Sequence, residues 1–408
     1  MKATERKEDN RVIEIKKDLK WIGILDYDIV TFDIVMETEY GTTYNSYLLD
    51  AEKKAIIETA KEKFAGTYID KIKKVAEPAD IEYIIFNHTE PDHSGSLKQV
   101  LELAPGATVV GSGNAIRYLN DIFDFSFKSR IVKDGDTLDL GNKTLRFISA
   151  PNLHWPDTMY TYLEEDKILF TCDSFGAHYC DDRMFDDLVG DFSEAFKYYF
   201  DVILRPYSKF MLKAIEKIRP LEIDTICTGH GPILRTKWKE YVDLTEKYAR
   251  EYIELTGGER KKRALITYVS AYGYTAEMAE AIASGIRSEG ETEVKILDIE
   301  NIGIGELESE IVKSDAILVG SPTINQNTLL QVYKLFAVIN PLRDKGKLAA
   351  SFGSYGWSGE AAGIIAGNLK SLKLKVMEEN ASFKFRPGEE TKTQLVAYGK
   401  RFAREMVS

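Results

Sequence analysis

Residues 86-FNHTEPDHSG-95 put His88, Glu90, Asp92 and His93 within six positions of one another, at the end of the apolar run 82-EYIIFN-87. Imidazole and carboxylate groups gathered on one loop are metal ligands by their chemistry. The chain has five histidines, the others being His154, His178 and His230. His154 follows the run 144-TLRFISA-150, His230 follows 224-DTICTG-229, and Asp173 closes 167-KILFTCD-173. Side chains at the ends of several strands converge on one edge of a sheet, which is how α/β folds assemble a site. Singly, each histidine reads more simply as a satisfied structural residue. Together with Glu90, Asp92 and Asp173, the strand-end histidines read as a metal site. Seven side chains exceed the needs of one ion, so two ions with a bridging carboxylate are expected. Asp173 is the natural bridge, since it stands on its own strand apart from the H-x-E-x-D-H loop.

Around this loop the first half alternates strand-like runs with turns: 31-TFDIVME-37, 45-NSYLLDA-51, 53-KKAIIET-59, 107-ATVVGS-112 and 159-MYTYLE-164, besides those already quoted. Helical periodicity marks 94-SGSLKQVLELA-104, with Ser94 as its N-cap, and the stretches 191–218 and 236–256. Many strands followed by long helices predict a layered α/β domain with more than one sheet. The pattern breaks at 257-GGERKKR-263. Beyond it, strands 264-ALITYVS-270, 292-TEVKILDI-299, 315-DAILVGSP-322, 347-KLAASFGS-354 and 373-KLKVME-378 alternate with helices over 275–290, 304–314, 328–340 and 359–372. That βαβ rhythm predicts a doubly wound parallel sheet of about five strands. The expected division is 1–256, a linker over 257–263, and 264–408.

The bulk properties exclude several classes. A length of 408 residues exceeds one typical domain, and 44% hydrophobic with 29% charged residues is ordinary for a globular protein. A net charge of −11 argues against nucleic-acid binding, and the basic run 260-RKKR-263 reads as a solvated linker. No stretch has the roughly 18–20 apolar residues of a membrane span, and the polar start MKATERKEDN lacks a signal-peptide core, so a cytoplasmic location is expected. Cys172, Cys180 and Cys227 show no C-x-x-C spacing, which argues against a disulfide framework or a rubredoxin-type centre on this chain.

The spacing H-x-E-x-D-H, then His154, Asp173 and His230, resembles the metallo-β-lactamase superfold and more closely its flavodiiron branch. Hydrolases of that superfold usually read H-x-H-x-D-H and hold zinc, whereas Glu90 stands where their second histidine would be. Added carboxylate makes a harder site that suits iron, and zinc has no redox chemistry. The resemblance implies an αββα sandwich in which His88, Glu90 and His154 hold one iron. Asp92, His93 and His230 would hold the other, with Asp173 bridging. His178, in 173-DSFGAHY-179, lies outside that ligand set and reads as a pocket histidine able to hydrogen-bond a bound oxygen species. The family often carries a further pocket histidine ahead of its GTTYN segment, and 37-ETEYGTTYN-45 has none.

In the second half, 270-SAYGYT-275 leads straight into a helix. Hydroxyls, a glycine and free backbone N–H groups at a helix start make a phosphate site. The absence of G-K-[ST] and of G-x-G-x-x-G excludes a P-loop and a dinucleotide fingerprint. A single FMN phosphate fits, as in flavodoxins, which residues 264–405 resemble. Loops 321-SPTINQN-327 and 353-GSYGWSGE-360 follow the third and fourth strands near the expected switch point. The expected FMN contacts are Ser270, Tyr272, Gly273, Tyr274, Thr275, Pro322, Thr323, Asn325, Ser354, Tyr355, Gly356, Trp357 and Ser358. Of these, Trp357 and Tyr355 pack on the flavin and Thr323 and Asn325 reach its polar edge.

The implied protein is an oxidoreductase with FMN and two irons per chain, reducing dioxygen to water or nitric oxide to nitrous oxide. One FMN carries two electrons, enough for the nitric oxide reaction, while dioxygen needs four. An external donor is required, rubredoxin being the family's usual one and a deazaflavin-type small donor an alternative. Resemblance further implies a head-to-tail homodimer or a dimer of dimers. Two other readings are a di-zinc hydrolase with an appended flavodoxin, opposed by Glu90, and an electron carrier or redox sensor with a vestigial metal site, opposed by the intact ligand set.

Overall fold

Period-two alternation sorts the strand side chains of the first half onto two faces. In the computed structural model of the chain, which describes residues 10–32, 36–257, 261–290 and 292–407, Ile85 and Val110 enter one buried cluster while Ile84, Phe86 and Val109 enter another. The same split separates Ile168 and Phe170 from Leu169. The chain divides into two compact units, Met1–Ile253 and Glu254–Ser408.

The first unit has a seven-stranded and a five-stranded sheet, each with its strands in sequence order. The first holds β1 (Ile13–Lys16), β2 (Leu19–Trp21), β3 (Tyr47–Leu49), β4 (Lys54–Ile57), β5 (Ile81–Phe86), β6 (Thr108–Gly111) and β7 (Lys128–Ile131). It is antiparallel through β4 and parallel from β4 onward. The second holds β8 (Thr137–Asp139), β9 (Thr144–Ser149), β10 (Met159–Leu163), β11 (Ile168–Cys172) and β12 (Thr225–Thr228). Its pairs are antiparallel except β11 with β12. The inner faces meet in one core, where Trp21, Tyr47 and Ile57 pack with Leu145, Phe147 and Phe170. Helices Ala65–Val75, Leu97–Leu103 and Gly113–Ile122 cover the outer face of the first sheet, and Ser208–Ile218 and Trp238–Gly257 that of the second. This is the expected αββα sandwich. Because β9, β11 and β12 share one direction, their carboxyl ends open on the same edge.

The second unit is a parallel sheet in the order β14 (Thr292–Asp298), β13 (Lys262–Tyr268), β15 (Ala316–Gly320), β16 (Leu348–Tyr355), β17 (Lys375–Val376), with β18 (Ala381–Lys384) also on β16. Both faces are buried: Ala264 and Ile266 pack with Ile282 and Phe402, and Leu265 packs with Ile311, Leu335 and Ile365. The reversal of strand order between β13 and β15 makes a switch point.

Several local expectations change. The run 31–37 is a short ribbon, Thr31–Phe32 pairing antiparallel with Met36–Glu37, and residues 33–35 lie outside the described ones. Ser94 ends the turn Pro91–Ser94 and donates its hydroxyl to the Thr89 carbonyl, while the next helix starts after Ser96. The stretch 191–218 is two helices, Ser193–Tyr199 and Ser208–Ile218, joined by a π turn and a 3-10 turn at Pro206, whose missing N–H interrupts the ladder. Strand β13 begins at Lys262, inside the run read as linker, of which 258–260 lie outside the described residues, as do 1–9. The fifth strand position is split, because β17 pairs with Leu348–Ala349 and β18 with Phe352–Tyr355. The sheet thus has six strands in five positions.

Candidate functional site

At the edge where β5, β9, β11 and β12 end, the seven metal-type residues come together in two groups. His88, Glu90, His154 and Asp173 form one, and Asp92, His93 and His230 the other; within each, ligand atoms lie within 4.8 Å of one another. Asp173 spans both. Its Oδ1 lies 3.1 Å from His93 Nε2 and 3.6 Å from His230 Nε2, while its Oδ2 lies 3.4 Å from His154 Nε2 and 3.6 Å from His88 Nε2. Glu90 Oε2 sits 3.2 Å from His88 Nε2 and 3.0 Å from His154 Nε2. Asp92 Oδ2 sits 3.3 Å from His93 Nε2 and 3.1 Å from His230 Nε2.

Outer partners fix the tautomers. His88 Nδ1 lies 3.2 Å from both oxygens of Asp157, a fully buried carboxylate that also accepts the Thr89 N–H and hydroxyl, each at 2.8 Å. His230 Nδ1 donates to the Thr43 carbonyl at 2.6 Å. A ring nitrogen that donates leaves the other with a lone pair, so Nε2 of each is free to ligate. Those lone pairs face carboxylate oxygens, an arrangement stabilised only by positive charge between them. Both Asp92 oxygens and Asp173 Oδ2 are buried with no hydrogen-bond partner. The chain therefore supplies anionic, buried donors with a place for cations, and the set fits two metal ions.

Electrostatics agree. Burial alone would lower His93, but Asp92 and Asp173 outweigh it and push it up to about 9. Burial is likewise overcome at His154, which Asp173 and Glu90 push up to about 9. Asp173 would be raised by burial, yet His93, His154 and His88 hold it well below the usual range. Such carboxylates draw protons onto the imidazoles until a metal displaces them.

His178 is not among the two groups. Burial and the neighbouring His230 keep it neutral. Its ring stacks on Phe32 at 4.4 Å between centroids, its Nδ1 meets Thr42 Oγ1 at 2.9 Å, and its Nε2 is buried without a partner. It also lines a cavity of about 200 Å³ with Thr38, Tyr40, Glu194 and Ala195. Tyr199 packs edge-on to His178, at 4.8 Å, and its hydroxyl is buried without a partner.

Backbone strain gathers here. Glu58, Asn152, Cys172 and Phe175 all have positive φ, at 58°, 65°, 47° and 65°, a conformation costly for such residues and common beside functional sites. Gly229 is required by close approach, since a Cβ there would lie 2.9 Å from the Cys172 carbonyl carbon and 2.9 Å from His93 Cε1. Asn45, just ahead of β3, clamps this turn, donating its side-chain amide to the Thr228 and Gly231 carbonyls at 3.0 Å each. Sequence reasoning missed Asp157, Glu58, Phe32 and Tyr199. Glu58 had a usable signal, as it follows β4 the way the metal-type residues follow their strands. Its carboxyl is fully buried, accepts the Asn87 N–H at 2.8 Å, and is pushed up to about 8 by that burial.

In the second unit the three loops meet at the carboxyl ends of β13, β15 and β16. Thr275 Oγ1 lies 3.0 Å from Ser354 Oγ, and the Thr323 N–H donates to the Ser354 carbonyl at 2.8 Å. The helix Tyr274–Ser288 begins after Gly273, at φ 82°, with open space where a Cβ would sit. N–H groups at a helix start beside an open glycine fit a phosphate. Tyr272 and Trp357 stand 82% and 86% exposed, outside the core. The Thr323 hydroxyl accepts the Ala361 N–H at 3.1 Å, capping the helix Glu360–Ser371 and keeping its own O–H as a donor. Ser270 Oγ accepts the Ala276 N–H at 3.4 Å, and Asn325 lies in the left-handed region at φ 53°.

A family model described as ODP family beta lactamase matches residues 42–231, and one described as flavodoxin matches residues 266–399. Fold, carboxylate-rich double site and flavodoxin unit define a lactamase-fold metalloprotein fused to a flavoprotein. The chain is 40% identical over 402 residues to the flavo-diiron protein FprA2 of Clostridium acetobutylicum, covering 97% of this chain and 99% of that one. It is 34% identical over 405 residues to the anaerobic nitric oxide reductase flavorubredoxin of Shigella dysenteriae, covering 96% and 82%. Rubredoxin oxygen:oxidoreductase from Desulfovibrio gigas superposes with a TM-score of 0.73 at 29% identity, covering 97% and 99%. The chain belongs to the flavodiiron protein family.

Proposed function

We propose that the protein is an oxidoreductase that receives electrons on FMN and delivers them to a non-haem di-iron centre, reducing dioxygen to water or nitric oxide to nitrous oxide. The observation that carries this reading is Asp173, whose two oxygens each face a different histidine pair. We assign His88, Glu90 and His154 to one iron and Asp92, His93 and His230 to the other, with Asp173 between them. Bound there, iron supplies gas binding and electron transfer. Asp157 and the Thr43 carbonyl hold two of the imidazoles with Nε2 turned inward. Phe32 and Tyr199 pack against the neutral His178, to which we assign a hydrogen bond to the gas. Glu90, in place of a histidine, adds negative charge that favours oxidised iron over zinc.

The three loops of the second unit are assigned to FMN: Ser270, Gly273 and Thr275 at its phosphate, Tyr355 and Trp357 at its ring. Exposed Tyr272 and Trp357 support a head-to-tail homodimer whose second copy covers them. An external donor, rubredoxin, is supported by the Desulfovibrio relative's name. Three free cysteines fit a reducing, cytoplasmic setting, and no described helix is long and apolar enough to cross a membrane. Metal and flavin analysis of protein expressed with iron and zinc available tests the assignment. Two irons and one FMN per chain are expected; stoichiometric zinc without iron would overturn it.

A further inference from the structure

The His88/Glu90/His154 half of the centre is joined to the surface by two oxidisable rings. Trp155 stands edge-on to His88, with centroids 5.1 Å apart and planes at 83°, and 6.3 Å from His154. Tyr118 stands 6.1 Å beyond Trp155 at 84°. Both aromatic residues are half-buried, whereas His88 is fully buried. The positions are held from both ends: Ser112 Oγ donates to the Asp157 carbonyl at 2.7 Å and Asn114 Nδ2 to the Pro156 carbonyl at 3.1 Å. These bonds pin the helix Gly113–Ile122, which carries Tyr118, against the loop that carries Trp155. The Arg117 guanidinium carbon lies 5.2 Å from the Tyr118 ring centre, at the outer end of the chain of rings.

We propose that Trp155 and Tyr118 form an electron relay that protects the centre when dioxygen arrives while the flavin is oxidised. The inference rests on the dioxygen-reducing reading above. Reduction of dioxygen to two waters takes four electrons and four protons. Two ferrous ions held there would supply two electrons and reduced FMN two more; with oxidised FMN, two would be missing. Trp155 gives one electron and its indole N–H proton; Tyr118 returns the electron and loses its phenol proton to solvent, while solvent returns a proton to the indole nitrogen. A second electron and proton then leave Trp155. The two residues end one electron oxidised each, the remaining two protons come from water, and a soluble thiol or other reductant at the surface restores both rings. Reduction of two nitric oxide molecules to nitrous oxide and water needs only two electrons, which the ferrous ions supply, so that reaction draws nothing from the relay.

The test uses the full chain carrying oxidised FMN, loaded anaerobically with ferrous iron and mixed with dioxygen without thiols. Freeze-quenched samples are examined for an organic radical, and digested samples for oxygen addition to the peptides containing Trp155 and Tyr118. Both are expected, and neither with fully reduced flavin or with nitric oxide in place of dioxygen. Trp155→Phe should abolish oxidation of Tyr118; Tyr118→Phe should confine it to Trp155 and serves alone if Trp155→Phe fails to hold iron. Dioxygen consumed and iron oxidised with both residues intact would overturn the relay, as would undiminished Tyr118 oxidation in Trp155→Phe. Protein that binds no iron would instead overturn the di-iron reading, and protein that binds iron but consumes no dioxygen would overturn the dioxygen-reducing reading; either result removes the relay.

Discussion

Asp157→Asn probes how far one buried carboxylate controls the centre. Wild-type Asp157 accepts four contacts: the Thr89 N–H and hydroxyl at 2.8 Å and His88 Nδ1 at 3.2 Å from each oxygen. Asparagine is nearly isosteric, and its one carbonyl oxygen can keep both Thr89 donors. Its NH2 then faces His88 Nδ1, donor against donor. The clash is relieved when His88 moves its proton to Nε2, the atom 3.2 Å from Glu90, which removes the lone pair a metal needs. Loss of such an outer partner typically costs 10- to 100-fold in metal affinity, or about 1.4–2.7 kcal/mol. The change should fall on the His88/Glu90/His154 half, because Asp92, His93 and His230 make no hydrogen bond to Asp157 among the described residues. Chelator competition followed by iron analysis should show one iron per chain released about 10- to 100-fold more readily and the other held as before. Equal retention of both irons, or equal loss of both, would refute the tautomer argument.

Further outcomes follow from other residues. Gly229→Ala forces a Cβ against His93 Cε1 and the Cys172 carbonyl carbon and should cost about 1–3 kcal/mol in denaturant unfolding while lowering iron content. Asp173→Ala should abolish gas reduction measured at an electrode and leave the flavin absorption spectrum unchanged; surviving activity would remove Asp173 from the centre. Glu90→His should shift loading from iron towards zinc when both are supplied during expression. In the second unit, Asp344 is fully buried: burial would raise its carboxyl, but hydrogen bonds from Arg343 and the charge of Lys347 outweigh it and hold it below the ordinary range. A depressed carboxyl adds stability above its unfolded pKa, lost as pH falls through the folded one. Asp344→Asn should therefore destabilise by about 3 kcal/mol at neutral pH, with the gap to wild type closing in acid below the unfolded value.

The seven metal-type residues were legible because chemistry and placement coincide: rare histidines and carboxylates, each just past a strand. Asp157 was not legible, since a lone aspartate three residues after His154 has no pattern of its own, and its role exists only where the β9–β10 loop meets Thr89. Phe32 lies far from the centre in sequence and joins it through tertiary packing alone. The doubly wound unit was readable from hydrophobic rhythm, whereas β18 was hidden because Glu379 and Asn380 interrupt the apolar run and split the strand position. The final helix, Glu389–Val407, was overlooked although Leu395, Tyr398 and Phe402 recur at helical spacing and are buried. The break at Pro206 had a signal in the proline itself.

The centre takes its groups from both sheets of the first unit and from residues 88 to 230, which sets an order of assembly during synthesis. As the chain leaves the ribosome, the half containing Asp173 has all its side chains once residue 173 emerges; the other waits for His230, nearly sixty residues later (230 − 173 = 57). The Asn45 amide holds the turn at Thr228–Gly231, and with it His230, once that segment has emerged. A nascent chain therefore presents scattered ligands and no paired site, so redox-active iron is captured only by a unit that has finished folding. The iron, once captured, fastens the two sheets to each other.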